Sequence, residues 1–291
     1  MMIVLNILKR IINKIYKVLL PQDRRIIINA SLFQCGPYVK HFNIGDDLNV
    51  FLIEKLTKKK VLNYSGFYKK KCENYLCIGS IIEHLTDEHS IIWGAGAMYG
   101  GMYPLKRKPK KVVAVRGPLT RNYLIQEGVD CPPVYGDPAL LLPIVYMPKV
   151  KKKYKIGIIP HFVDIDNSVI QNLLHYDGRV KLIKIQSYRN WKTIINEINE
   201  CDFIISSSLH GIIISDAYNI PNVWVEFSDK VEGNGFKFRD YFLSVGRSYN
   251  NPVRVSLSTN IEDFEIYKSI WEPIKFNSQK LIKSCPFPLC V

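Results

Sequence analysis

Acidic residues are scarce in this chain of 291 residues. Only 26 aspartates and glutamates stand against 40 lysines and arginines, a formal net charge of +14. Such an excess favours anionic partners: phosphorylated small molecules, nucleic acid or an anionic membrane face. Zinc-finger spacings and RNP-type aromatic motifs are missing, and the basic residues lie in several separate clusters, which argues against nucleic acid. Cysteine pairs are missing too. The seven cysteines, Cys35, Cys72, Cys77, Cys131, Cys201, Cys285 and Cys290, are odd in number and none stands in CxxC spacing. Neither a disulfide framework nor a zinc site is expected, and a reducing compartment is. Cys77 and Cys201 lie in apolar runs and read as small core residues. Gly94-Ala95-Gly96 lacks the rest of a dinucleotide fingerprint, so no NAD site is read there. What is present, 47% hydrophobic residues with 23% charged, fits a folded globular chain of one large or two modest domains.

Residues 2–19 place Ile3, Val4, Ile7, Leu8, Ile11, Ile12, Ile15, Val18 and Leu19 on one helical face. Asn6, Lys9, Arg10, Asn13, Lys14 and Lys17 fall on the other, and Pro21 closes the helix. Charges interrupt every apolar run, so this segment is neither a signal peptide nor a bilayer span. Two roles stay open: an amphipathic anchor on an anionic membrane surface, and a helix docked on the protein's own core. Residues 1–21 are thus one unit of the expected organisation.

Strands alternate with helical patterns from residue 22 to about 148. Arg25–Asn29, Tyr75–Ile78, Ser90–Trp93 and Lys111–Val115 read as buried strands, and glycines follow two of them. Asn43–Asn49 (NIGDDLN) opens a helix that Asp46 or Asp47 can cap, a role sufficient to explain them. Arg116 stands at a strand's carboxyl end, and Pro118 fits the first turn of the next helix. Arg121, one turn further on, reads as a surface residue. Asp137-Pro138 is a turn that also offers a carboxylate. This alternation predicts a parallel sheet covered by helices on both faces.

Met147–Lys155, with one proline and five lysines, is a solvated connection. A second doubly wound unit is expected over 149–260, and residues 261–291 form a mostly helical segment, broken at Pro273, that could return to the first unit. His161 follows the second unit's first strand. Within DFIISSSLHGIIISDAYNIPNVWVE (202–226), a serine turn leads from a strand into a helix that carries His210 in its first turn. Open α/β sheets bind ligands at such strand ends, and a helix start suits an anion. A capped helix with a satisfied structural histidine explains the same residues. Lys237 and Arg239 sit beside a glycine-rich turn, anchored by Phe236, Phe238, Tyr241 and Phe242, or else form the solvated face of an ordinary helix.

Taken together, NIGDDLN, VRGPLTR, GDPALLLP, SSSLHGIIISDAYNIP and KFRDYFLSVGR, in that order over residues 25–247, resemble the polysaccharide pyruvyl transferase family. The likeness is nearest to its exopolysaccharide and capsule ketal-pyruvate transferases. The resemblance implies an α/β fold of two Rossmann-like domains in a glycosyltransferase-B-like arrangement, behind the N-terminal amphipathic helix. It also implies transfer of a pyruvyl group from phosphoenolpyruvate to a sugar of a bacterial surface-polysaccharide precursor, as a cyclic ketal, with neither metal nor cofactor. His210 falls on the family's histidine for donor binding and acid catalysis. The family arginine before that motif is replaced by Ser208, and another falls on His161. The expected donor site is therefore Ser207, Ser208, Leu209, His161, Arg116, Lys237 and Arg239, the last two supplying the lost charge. Asn43, Asp46 and Asp137 are the acceptor-site candidates.

A histidine is a natural proton donor near neutral pH. A helix N-terminus disfavours imidazolium and a bound anion favours it, so His210 is expected to charge when substrate binds. The helix and the family together suggest a cytoplasmic protein peripheral to the inner membrane face, acting on a lipid-linked acceptor. The rival readings are a nucleotide-sugar glycosyltransferase, with Glu226 on the ribose, and a non-catalytic protein binding anionic glycan or membrane.

Overall fold

The computed structural model describes residues 21–30, 43–64, 72–175, 178–186, 188, 190–247 and 251–290. The basic helix expected over residues 2–19 lies outside them. Two five-stranded sheets organise the chain. The first contains β1 (Arg25–Ile28), β2 (Lys60–Asn63), β3 (Asn74–Leu76), β4 (Ser90–Trp93) and β5 (Lys111–Ala114), in the order β2-β1-β3-β4-β5. The second contains β6 (Tyr154–Ile159), β7 (Val180–Leu182), β8 (Cys201–Ser206), β9 (Asn222–Glu226) and β10 (Val253–Arg254), in the order β10-β9-β8-β6-β7. Every pairing between these strands is parallel. Ile26–Ile28, Ser90–Trp93 and Ile156–Ile159 are buried throughout, as in parallel sheets covered on both faces.

Counted from its own first strand, each sheet has the same order: second, first, third, fourth, fifth. The chain is thus two Rossmann-like units. In this order the winding reverses between the first and third strands, which opens a crevice at their carboxyl ends. The crevices lie between β1 and β3 and between β6 and β8. Sequence reading did not find β2, an edge strand with only two apolar residues, Val61 and Leu62, after a run of lysines.

The helices are α1 (Ile44–Thr57), α2 (Ile82–Leu85), α3 (Pro118–Gln126) and α4 (Leu142–Val145), then α5 (Ser168–Leu174), α6 (Trp191–Asn199), α7 (Leu209–Ala217) and α8 (Phe236–Ser244), then α9 (Glu265–Ser269) and α10 (Ser278–Lys283). The cap of α1 is Asn43, whose side chain accepts the Gly45 N–H at 3.1 Å, and not Asp46 or Asp47. A capping residue must precede the first helical residue, and both aspartates already lie inside the first turn. There they favour the helix dipole instead. Asn49, one turn on, pairs with both the N–H and the C=O of Ile78 at 2.9 Å, which pins the end of β3 to α1.

After β10 the chain crosses to the first unit. The C=O of Leu281 accepts the Trp93 indole N–H at 3.0 Å, and Phe287 meets the rings of Trp93 and Tyr75 edge-on. The Cys290 N–H reaches Leu56 O at 2.6 Å. The two units also touch directly near the strand ends. Ile44 N–H donates to Ile185 O at 3.1 Å, and the Tyr188 hydroxyl donates to Asp47. No helix among the described residues is long and apolar enough to cross a membrane.

Candidate active site

The crevice of the second unit is built by three serines. β8 ends at Ser206 and α7 begins at Leu209, so the turn is short. Ser206 Oγ donates to Ile159 O at 2.8 Å and accepts the Ser208 N–H at 3.0 Å. Ser207 Oγ donates to Asp164 at 3.0 Å and accepts the His161 N–H at 2.8 Å. These bonds lock the ends of β6 and β8 together. Gly211 lets the helix start press onto β6, since a Cβ there would lie 2.3 Å from Ser206 Oγ. Ser208 stands at the cap position with no side-chain cap bond. The first-turn N–H groups of α7 have no acceptor within the helix. Leu209 is buried and offers only its backbone N–H.

His210, the next residue, crosses to the first unit. Its ring lies against Gly45, where an added Cβ would stand 2.1 Å from Nδ1. Its Nε2 is buried without a hydrogen-bond partner, 3.9 Å from Asp137 Oδ2. Burial, Arg116 and Lys237 push the imidazole down to about 3. Burial pushes the Asp137 carboxyl up to about 7, against the Ala139 N–H and Arg116, which lower it. Near neutral pH the histidine is therefore uncharged, and the contact is not an ion pair.

His161 and Lys237 complete the cluster. The His161 ring lies tilted against Phe162 with centroids 4.4 Å apart, its Nδ1 is buried without a partner, and burial plus Lys237 push it down to about 4. Lys237 is buried on α8, and burial followed by Arg116 pushes it down to about 8, with Glu232 opposing. Among the described residues no carboxylate pairs with it. The carboxyl of Asp46, next to Gly45, has no hydrogen-bond partner among them either; burial and then Asp47 push it up to about 7.

Arg116 is at the centre but engaged. Its Nε donates to Asp240 at 3.0 Å, Nη1 to Ser80 Oγ at 2.6 Å and Nη2 to Ala97 O at 2.6 Å. Asp240 also accepts the Thr120 N–H at 2.9 Å and hydroxyl at 2.6 Å. Asp240 offsets the arginine's charge, so among the described residues Lys237 is the cation of the cluster without a paired carboxylate.

Of the residues singled out from sequence, the structure thus brings together His210, His161, Lys237, Arg116 and Asp137, with Asp46 and Ser208 at the edge. It does not bring Arg239 to them. That guanidinium bonds Asn234 O at 2.6 Å over the Trp224 ring. Asn43 is a helix cap, and the Ser207 hydroxyl is used between the strand ends. Sequence reading missed Asp240, Ser80, Asp164 and Gly45. Asp240 had a usable signal: three residues after Lys237, it lies on the same face of a helix. Gly45 had one as well, lying within NIGDDLN; Ser80 and Asp164 are ordinary turn residues, with no sequence signal of a site.

A family model described as polysaccharide pyruvyl transferase matches residues 4–229. The chain is 30% identical over 243 residues to the uncharacterized protein L143 of Acanthamoeba polyphaga mimivirus, covering 80% of this chain and 83% of that one. It is 30% identical over 235 residues to the succinoglycan biosynthesis protein ExoV of Rhizobium meliloti (strain 1021), covering 77% of this chain and 67% of ExoV. A crystal structure of a functionally uncharacterized Klebsiella pneumoniae protein aligns with a TM-score of 0.44 at 13% identity, covering 80% of this chain and 92% of that one.

Proposed function

The chain belongs to the polysaccharide pyruvyl transferase family, and from that membership we propose that it transfers the pyruvyl group of phosphoenolpyruvate to a sugar of a surface-polysaccharide precursor. The transfer closes a cyclic ketal on two hydroxyls and releases phosphate. The observation that carries the reading is the position of His210 and Lys237 at the crevice of the second sheet. A buried cation with no paired carboxylate among the described residues and a helix N-terminus stand there beside a neutral histidine.

Phosphoenolpyruvate bears a phosphate and a carboxylate. Lys237, the Ser208 hydroxyl and the first N–H groups of α7 are donors for them. His161 is the second ring at this rim, and Arg116 adds a fixed positive field from behind. Lys237 alone takes the place of the charge that Ser208 and His161 lack relative to the family pattern; Arg239 serves elsewhere. His210 protonates the methylene carbon, and an acceptor hydroxyl attacks the adjacent carbon. Asp46, on the first unit's side, takes up the hydroxyl proton. The reaction needs no metal or cofactor.

Two Rossmann-like units with the reaction between them make a glycosyltransferase-B-like enzyme, with the acceptor on the first unit. The basic segment 2–19 would hold it at an anionic cytoplasmic membrane face, close to a lipid-linked acceptor.

The test is phosphate release from phosphoenolpyruvate with a panel of galactosides, glucosides and mannosaminides, with UDP-sugars as competing donors. Acceptor-dependent phosphate release, with a product heavier by a pyruvate ketal, is expected. Release of UDP instead would replace this reading with glycosyl transfer.

A further inference from the structure

We propose that Asp137 is the positioning partner of His210 and the source of the proton that His210 delivers, so that a carboxyl of one unit and an imidazole of the other act as one acid relay. The proposal rests on the pyruvyl-transfer reading for its substrate, and on geometry for the pair itself. His210 Nε2 is a buried nitrogen with no hydrogen-bond partner, and Asp137 Oδ2 stands 3.9 Å away. Buried polar atoms are rarely left unpaired without a reason. A closure of about 1 Å between the units would make this contact a hydrogen bond.

Asp137 is held for that contact. It caps the 3-10 turn Pro138–Leu141, where Oδ1 accepts the Ala139 N–H at 2.9 Å, and Oδ2 is the oxygen nearer His210. The charged groups that reach the pair are Arg116 and Lys237, both cations. Tyr241 and Cys77, also within range of Asp137, are buried and neutral.

Two cations and burial oppose an imidazolium here. A concerted relay avoids one. The proton on Asp137 Oδ2 moves to Nε2 while the proton on Nδ1, at the Gly45 edge of the ring, moves to the methylene carbon of phosphoenolpyruvate. The π pair of the substrate forms the new C–H bond, and the adjacent carbon becomes the electrophile for the first acceptor hydroxyl. The imidazole changes tautomer and gains no charge. Asp137 is left as a carboxylate in the field of Arg116. The two acceptor hydroxyls release two protons: one passes through Asp46 and leaves on the phosphate, and the other enters at Nδ1 while Nε2 returns its proton to Asp137, which resets both the carboxyl and the tautomer. This replaces the expectation that His210 charges when substrate binds.

Two measurements test the relay. The first is the ¹⁵N spectrum of the imidazoles of the full chain at pH 6, with His210→Ala to assign the signal. His210 in the Nδ1–H tautomer is expected, and the Nε2–H tautomer would overturn the proposal. The second is Asp137→Asn, which keeps the size and the cap. In it kcat should fall about 100-fold while the KM for phosphoenolpyruvate stays within about twofold. The wild-type decline of kcat as pH rises through about 7 should disappear. A kcat within twofold of wild type, or a retained decline, would overturn it. If phosphoenolpyruvate supports no turnover at all, the functional reading falls, and the tautomer still decides the pair.

Discussion

The imidazole of His210 rests on the α-carbon of Gly45, so close that a methyl group there would come within 2.1 Å of Nδ1. Gly45 lies in the first turn of α1 and His210 in the first turn of α7. Two helix starts from two units therefore meet at the reacting group. Gly45→Ala should push the ring out of place and lower kcat at least about 10-fold. Overpacking of this kind costs about 1–3 kcal/mol, which a urea melt will register. Wild-type kinetics in this variant would show that the ring position is immaterial to the reaction.

His210→Ala removes the proton donor. Turnover should fall by about 100-fold or more, while phosphoenolpyruvate binding by calorimetry and the thermal midpoint change little. A loss of binding equal to the loss of turnover would instead make His210 a donor-binding group.

Lys237 carries its charge below about 8 and loses it above. Affinity for phosphoenolpyruvate should therefore be full at pH 6 to 7 and decline as pH rises through 8. Bound anion will raise the midpoint somewhat. Lys237→Met should weaken donor binding at least about 10-fold and remove that decline, since a charge-assisted contact to an anion contributes about 1.5–3 kcal/mol. Arg239→Ala should leave the donor KM unchanged, and a rise in it would restore Arg239 to the donor site.

Asp240→Ala strips the partner from the buried Arg116. Removing one member of a buried pair typically costs about 3–5 kcal/mol, because the other charge is left unpaired. Urea denaturation should show a loss of that order, and Arg116→Met with Asp240→Leu should recover part of it. Equal losses in the single and double variants would mean that packing, not charge, holds this junction.

Asp46 binds its proton more tightly in the folded chain than in the unfolded one, with its value raised from the ordinary carboxylate range to about 7. Its ionisation therefore opposes folding, and its contribution is lost as pH rises from about 4 to 7. Asp46→Asn should raise the urea midpoint at pH 8 and leave it nearly unchanged at pH 4. The same variant should slow turnover by removing the base for the acceptor hydroxyl. A midpoint lowered at pH 8 would show that the carboxylate is stabilised by a partner.

Strand ends were legible because they depend on local pattern. Ile156–Ile159 before Pro160-His161, and Phe203–Ile205 before the serines, show buried strands by their apolar runs, and the residues after them must lie at the sheet's rim. The cap of α1 was misplaced by three residues or more, because NIGDDLN offers several side chains able to cap and only the helix start selects Asn43.

The chain's own sequence determined two doubly wound units, a basic balance that favours anions, and a histidine in the first turn of a helix. These follow from periodicity, composition and turn chemistry, which act over a few residues. Tertiary structure alone decided what each side chain faces. Arg116 and Lys237 look alike as cations in sequence, yet Asp240 offsets the first across 124 residues of chain and no carboxylate pairs with the second among the described residues. Arg239 is two residues from Lys237, but the turn of a helix sends it to Asn234 and Trp224. Asp137 and His210 meet only because the units dock at their strand ends. Burial and neighbouring charge then set whether each group holds a proton, and neither exists until the core has packed.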